Sequence, residues 1–363
     1  MNYSNIFIYN KTWLESGMAN IVQTLHMAQR FDSIAKTTIC IRCGNENYQD
    51  QIKNIISSEP TFRCIVKNKN ALMHFISSLI SLNAFERKNT IFYSRTVLMC
   101  IVASIMGFNS VLELHQDKLG RFEFISKLFV KLLNMNYFLL KLKIVVISQS
   151  LKEIIIFKYN VKSKIYVSHD AADMPSKLLL NLTKRRRGLV VYTGKLGNDR
   201  SVGHIVELAK SDPGSDFRII GGTIDQVREL RQDIKQLSIT NLKIFSRQRY
   251  SRIRFFQCKA SILIAFWSKD VPTMKYCSPL KLFEYMQTGN KILLHNFRVF
   301  EEVVPKNILI RKCEPDNKAS ELAEYKYLRD LNFSDKDRAK LSMYGANFTY
   351  KARVSNIFEF ISR

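Results

Sequence analysis

Short runs rich in Ile, Val, Tyr and Phe alternate along this chain with longer stretches of helical period, and that alternation constrains the fold more than any other feature. It is the signature of βαβ units, in which each helix returns the chain to start a parallel strand. In the first half the runs predict strands at 6–9, 38–41, 90–93, 110–113, 143–147 and 164–167. A second series is predicted at 189–193, 217–220, 242–245, 261–265 and 291–294. Between the two series, 174–188 holds Pro175, Asn181 and the run Lys184, Arg185, Arg186, Arg187 without a convincing period, which marks a linker.

A length of 363 residues fits two domains better than one, at roughly 150 residues per domain. The expected division is an N-terminal Rossmann-like domain over 1–173, the linker 174–188, a C-terminal Rossmann-like domain over 189–340, and a closing helix in 341–363 that packs back on the first domain. Ligands of open parallel sheets bind beyond the carboxyl ends of the strands, so two such domains with facing sheets are expected to share a central cleft.

The surplus of 56 Lys and Arg over 31 Asp and Glu, a net charge of +25, implies an anionic partner. Nucleic acid, anionic lipid and a nucleotide diphosphate all answer to that field, so charge alone does not choose among them. No recognisable nucleic-acid-binding module accompanies it, and nucleic acid is not the expected partner. No segment reaches the roughly 18 apolar residues of a membrane span, and the N-terminus lacks the pattern of a signal peptide, so a cytoplasmic location is expected. The stretch Phe122–Leu142 mixes Phe, Ile, Leu and Val with Lys127, Lys131 and Lys141, as a basic amphipathic helix pair does. Peripheral contact with the inner face of an anionic cell membrane follows as an expectation. Seven scattered cysteines suit a reducing compartment, and the lone pair Cys40 and Cys43 reads as core rather than as a zinc or redox site.

The most informative string is Tyr276-Cys-Ser-Pro-Leu-Lys-Leu-Phe-Glu-Tyr-Met-Gln-Thr-Gly289. Ser278 suits a helix N-cap and Pro279 the first helical position, so the amides of Leu280 and Lys281 and the positive end of the helix dipole form a seat for a diphosphate. Glu284, about one and a half turns further, suits the paired hydroxyls of a ribose, and Gly289 ends the helix. No Gly-x-Gly-x-x-Gly or Walker sequence occurs, which argues against a dehydrogenase or kinase.

This string resembles the donor-binding motif of glycosyltransferase family 4, a retaining family of GT-B fold, nearly letter for letter. The resemblance implies that the backbone after Ser278 and Pro279 meets the donor phosphates and that Glu284 holds the ribose. Many members carry a second glutamate eight positions earlier; here that position is Tyr276. In the same order along the chain, Val191-Tyr-Thr-Gly194-Lys195-Leu196 with Arg200 resembles the entry to the second domain, where Lys195 and Arg200 would grip the phosphates. A fixed cationic pair is what a transferase without an essential metal needs, because negative charge develops on the departing diphosphate. Gly221 and Gly222 follow the Phe217–Ile220 strand as in the family's base-side loop, although a double glycine is more often a plain turn. In the first half, Tyr93-Ser-Arg95 and Val111-Leu-Glu-Leu-His115 are similar to strands ending at the cleft, where His115 would touch the donor sugar; Ser16 and Gly17 occupy the place of the first phosphate or acceptor loop.

The resemblance thus implies an α/β protein of GT-B fold with two Rossmann-like domains. The expected enzyme is a retaining hexosyltransferase that moves a sugar from a UDP- or GDP-sugar to a lipid-linked or growing bacterial surface polysaccharide (capsule, O-antigen or lipopolysaccharide). The nucleotide-sugar serves as co-substrate, with no cofactor and no essential metal. A nucleotide-sugar epimerase or hydrolase on the same scaffold is the first rival, and a basic nucleic-acid-binding protein the second.

Overall fold

The computed structural model describes residues 3–16, 19–44, 46–56, 58–66, 70–119, 127, 130–131, 134, 142–162, 164–197 and 201–363. Gly17, Arg200 and most of the stretch 122–142 lie outside the described residues. The chain divides into two compact units, the first comprising Met1–Ala171, Tyr276–Ser278 and Tyr350–Arg363, and the second Ala172–Lys275 and Pro279–Thr349.

Unit 1 is built on seven parallel strands: β1 (Asn5–Trp13), β2 (Lys36–Arg42), β3 (Arg63–Val66), β4 (Thr90–Ser94), β5 (Asn109–Leu114), β6 (Leu142–Val146) and β7 (Ile165–Val167). Their order in the sheet is β3-β2-β1-β4-β5-β6-β7. Both faces are covered, which explains why the strands read as continuous apolar runs rather than alternating ones. Successive side chains still part to opposite faces. Ile6, Ile8, Ile39, Ile41, Ile91 and Val111 enter one core with the helices Ala19–Phe31 and Tyr350–Ser362. Phe7, Tyr9, Cys40, Phe92, Leu112 and Ile144 enter the other, under the helices Ala71–Asn83, Val97–Ile105 and Gln149–Tyr159.

Unit 2 repeats the plan with six parallel strands: β8 (Leu189–Thr193), β9 (Asp216–Ile220), β10 (Leu242–Phe245), β11 (Ile262–Ala265), β12 (Lys291–His295) and β13 (Ile310–Cys313), in the order β10-β9-β8-β11-β12-β13. The architecture is therefore the α/β fold of GT-B type expected from the sequence, two Rossmann-like units with parallel sheets. In each sheet the strand order reverses beside the first strand, between β1 and β4 and between β8 and β11. Ligands of doubly wound sheets bind outside the carboxyl ends of such strands.

Two parts of the sequence reading change. The segment 174–188 carries a short helix, Lys177–Leu182, whose start is capped by the Ser176 hydroxyl accepting from Leu179 N–H at 3.1 Å. The edge strands β3 and β13 were not predicted; β3 has no fully buried residue and β13 alternates Ile, Arg, Lys and Cys. All seven cysteines are free, and Cys40 and Cys43 are buried. No helix among the described residues is long and apolar enough to cross a membrane.

Candidate active site residues

In unit 2 the strand ends are shaped by glycine. Gly194 follows β8 and Gly221 follows β9, at φ +152° and +144°. A Cβ on Gly221 would sit 1.7 Å from the Gly194 carbonyl oxygen, so these two loops cross backbone against backbone. Only glycine permits that approach. The crossing is pinned by Gly194 N–H donating to Ile220 O at 3.0 Å and Gly221 N–H donating to Phe245 O at 2.9 Å. Gly222, at φ +77°, lies against the Leu196 side chain. Gly221 and Gly222 thus have a packing role that fully accounts for their residue type.

Lys281 reaches the same place from the first turn of the helix Leu280–Thr288. Its Nζ stands 3.8 Å from the centroid of the Tyr192 ring and 5.1 Å from that of Trp267, which follows β11. A Cβ on Gly194 would come within 2.9 Å of this ammonium, so the missing side chain makes room for it. Two aromatic faces hold the cation at the strand-order reversal between β8 and β11. Lys195 is exposed beside it, its carbonyl oxygen accepting from the Tyr192 hydroxyl at 2.9 Å.

The helix start differs from the sequence reading by one residue. Pro279, not Ser278, occupies the cap position, Leu280 is the first helical residue, and no side chain caps the end. The first intrahelical bonds run from Leu282 and Phe283 N–H to Pro279 O, at 2.9 and 3.3 Å. The Ser278 hydroxyl is engaged within unit 1, accepting from Asp170 N–H at 2.7 Å. Tyr276, eight positions before Glu284, is buried in unit 1, with its hydroxyl donating to Asp117 at 3.3 Å and its carbonyl accepting from Ser148 at 2.8 Å.

Glu284 is half-buried, and its Oε2 accepts from Gln257 Nε2 at 2.8 Å. Gln257 also donates to the Thr193 hydroxyl at 3.0 Å, and Arg254 donates to the Glu284 carbonyl at 2.9 Å. One carboxylate edge is thereby oriented by a buried amide that the sequence reading did not single out.

In unit 1 the strand ends close over a single carboxylate. Glu113, buried at the end of β5, accepts from Arg95 at 3.0 Å and Arg353 at 2.8 Å, and also from His115 and the Tyr93 hydroxyl. Arg353 is buried too and lies 3.3 Å from Asp170, while His115 Nδ1 lies 3.9 Å from that same Asp170 oxygen. Burial alone would raise the Glu113 carboxyl, but Arg95, Arg353 and His115 outweigh it and hold it well below the usual carboxylate range. Burial, and then Glu113, push the Tyr93 hydroxyl well up. His115 is thus oriented through one nitrogen by an anion while keeping part of its ring exposed. Ser16 lies in the short turn Leu14–Ser16, its hydroxyl donating to Trp13 O at 2.6 Å.

Glu113, His115 and Asp170 bring ligand atoms within 4.8 Å of one another, a spacing that a metal could use. The two guanidinium groups already take the Glu113 and Asp170 oxygens, and their charge opposes a divalent cation there. Neither Glu113 nor Arg353 was foreseen as a site residue.

No family model matches the sequence, and no curated protein sequence matches it. Solved structures match over almost the whole length. HepE from Anabaena, in complex with UDP and glucose, is 12% identical with a TM-score of 0.68, over 99% of this chain and 100% of that one. A glycosyltransferase from Rickettsia africae is 14% identical, TM-score 0.70, over 100% and 98%. The pneumococcal O-GlcNAc transferase GtfA, in complex with UDP and GlcNAc, is 9% identical, TM-score 0.70, over 100% and 99%.

Proposed function

We propose that this chain is a glycosyltransferase whose nucleotide-sugar donor binds at the strand ends of unit 2. The observation that carries the reading is the meeting of Gly194, Gly221, Lys281 and an uncapped helix start at the strand-order reversal of that sheet. The glycine crossing admits the Lys281 side chain at the strand ends, a helix start favours an anion, and the caged ammonium supplies a fixed positive charge. Its fold matches along its length structures of UDP-bound proteins, and its string from Ser278 to Gly289 resembles the donor motif of family 4.

In this reading, the diphosphate lies against the main chain of Ser278, Pro279 and Leu280, and Lys195, Arg200 and Lys281 stabilise the charge that develops as the sugar departs. Glu284 takes the ribose hydroxyls, its free edge turned by Gln257. Ser16 and Gly17 serve the phosphate or acceptor end. His115 serves the sugar, offering a hydrogen bond from a part-exposed ring that Glu113 orients. The reaction retains the anomeric configuration, uses a UDP- or GDP-hexose, and needs no metal because the cations above do that work. The acceptor is a lipid-linked or growing surface polysaccharide of a bacterium, reached at the inner face of the cell membrane to which the +25 chain is drawn.

A panel of UDP-, GDP-, ADP- and CMP-sugars scored by thermal shift, with EDTA present, tests the donor reading. One nucleotide class should stabilise the fold, by about 2.7 kcal/mol at a hundredfold excess over Kd. Failure of every class, or a shift that disappears with EDTA, contradicts it. Incubation with the stabilising donor should not give an epimerised nucleotide-sugar as the main product, and NMR of the transferred sugar should show the donor's anomeric configuration.

A further inference from the structure

The helix Ala71–Asn83 in unit 1 sends Leu82 into the core, with Phe75 and Leu79 against it, yet is apolar on its outer face as well. Its buried positions include His74, Ser77 and Ser78, while Leu72, Met73, Ile76 and Ile80 are exposed, Leu72 and Ile80 by 66% and 70%. Helical spacing puts those four on one face. The inward serines bond within the helix, Ser77 donating to Met73 O at 2.7 Å and Ser78 to His74 O at 2.6 Å, while His74 pairs through Nε2 with the Asn10 carbonyl at 3.3 Å and stacks on Tyr9. A helix face in contact with water is expected to be polar.

The helix Val97–Ile105 does the same in milder form. It buries Met99, Cys100, Ala103 and Ser104 and exposes Leu98 and Ile105, by 57% and 71%, seven residues apart and so on one face. Neither helix contains a charged residue. Arg87, which follows the first helix, packs against Gly107 beyond the second, so their carboxyl ends are neighbours. Both helices cover the same core. Two adjacent uncharged helices with their larger aliphatic side chains outward make an apolar face of the kind that marks an interaction site.

We propose that this face docks on an anionic lipid bilayer. Charge selects lipid over a second copy: two chains of +25 repel each other, whereas an anionic leaflet attracts the chain by about 1 kcal/mol for each nearby Lys or Arg. Exposed Arg87 and Lys88 stand beyond the end of the first helix beside an exposed Glu86, which leaves a net positive charge there. With nine and thirteen residues the helices are too short to span, so the aliphatic side chains enter the headgroup and acyl boundary while the sheet stays outside. The inference rests on the membrane-borne acceptor proposed above for its purpose, and on exposure and charge for its location.

Flotation of the full-length protein with phosphatidylcholine vesicles, with and without 30% phosphatidylglycerol, tests it. The wild type should float with the anionic vesicles, and the double variant Ile80→Glu/Ile105→Glu should lose at least tenfold in partitioning. Arg87→Gln/Lys88→Gln should lose a smaller factor that shrinks at high salt. Because Ile80 and Ile105 are exposed, thermal unfolding and donor-induced stabilisation of the double variant should match the wild type, which separates failure here from failure of the donor reading. The proposal is overturned if the wild type stays with the soluble fraction, if the double variant floats as the wild type does, or if the substitutions dissociate a dimer and leave vesicle binding unchanged.

Discussion

The strand ends of the two units solve the same topology in opposite ways. In unit 1, side chains converge: Tyr93, Arg95, His115 and Arg353 all donate to the buried Glu113, and a carboxylate with strong donors on both oxygens has little capacity left for a ligand. In unit 2, main chain converges: Gly194 and Gly221 cross where no side chain fits, Lys281 stands over Tyr192 and Trp267, and Lys195 is exposed. A charge-compensated cluster fixes the orientation of one imidazole. A glycine crossing that admits Lys281 next to the exposed Lys195 offers positive potential to an anion. The contrast assigns rigidity and positioning to the first unit and donor capture to the second.

Breaking the unit 1 cluster should produce the largest effect. Arg353→Met leaves Glu113 buried with fewer partners, and urea unfolding should show a loss of about 3–5 kcal/mol. The double variant with Glu113→Gln should recover part of it, since the two changes are coupled. The pH dependence has a definite sign. A carboxyl held below its unfolded value contributes fully above that value, about 4.3, and less as pH falls through the depressed one. The stability gap between wild type and Glu113→Gln should be constant from pH 7 to about 5 and shrink below about 4; a gap that shrinks already near pH 6 contradicts the cluster as described.

The glycine crossing comes next. Gly221→Ala adds a Cβ 1.7 Å from a carbonyl oxygen at φ +144°, and should cost roughly 3 kcal/mol in thermal unfolding or prevent folding of unit 2. Lys281→Met should leave the unliganded melting temperature nearly unchanged while weakening UDP-sugar binding about tenfold by calorimetry, or about 1.4 kcal/mol. Gly203→Ala is the small contrasting case. That glycine lies in the helix Val202–Ser211 with nothing within 4 Å of a new Cβ, so a gain of about 0.5 kcal/mol is expected.

How far the sequence was legible follows from where each signal resides. Strands buried on both faces, such as Leu189–Thr193 and Lys291–His295, are continuous apolar runs and read directly. Arg63–Val66 and Ile310–Cys313 lie at sheet edges, where one flank meets solvent and a four-residue strand tolerates Arg and Lys, so no run announces them. The helix at Leu280 was legible from its proline and glycine punctuation. Its cap was not, because the Ser278 hydroxyl answers to Asp170, more than a hundred residues away in sequence. Distance hid the unit 1 cluster as well: Glu113 and Arg353 are 240 residues apart, and no local pattern joins them. His115 could be singled out by motif, and Glu113, which orients it, stands two residues before it in the same string, but that Arg95 and Arg353 share this carboxylate could only be found in three dimensions.

Hydrogen exchange followed by mass spectrometry, comparing the free protein with one saturated by the donor class that stabilises it, tests the central claim most directly. The account predicts slowed exchange in peptides covering 191–197 and 278–284, which hold the Gly194 loop and the start of the Leu280 helix. Protection that leaves both peptides unchanged and falls elsewhere, for example around Glu113 alone, would contradict donor capture by unit 2.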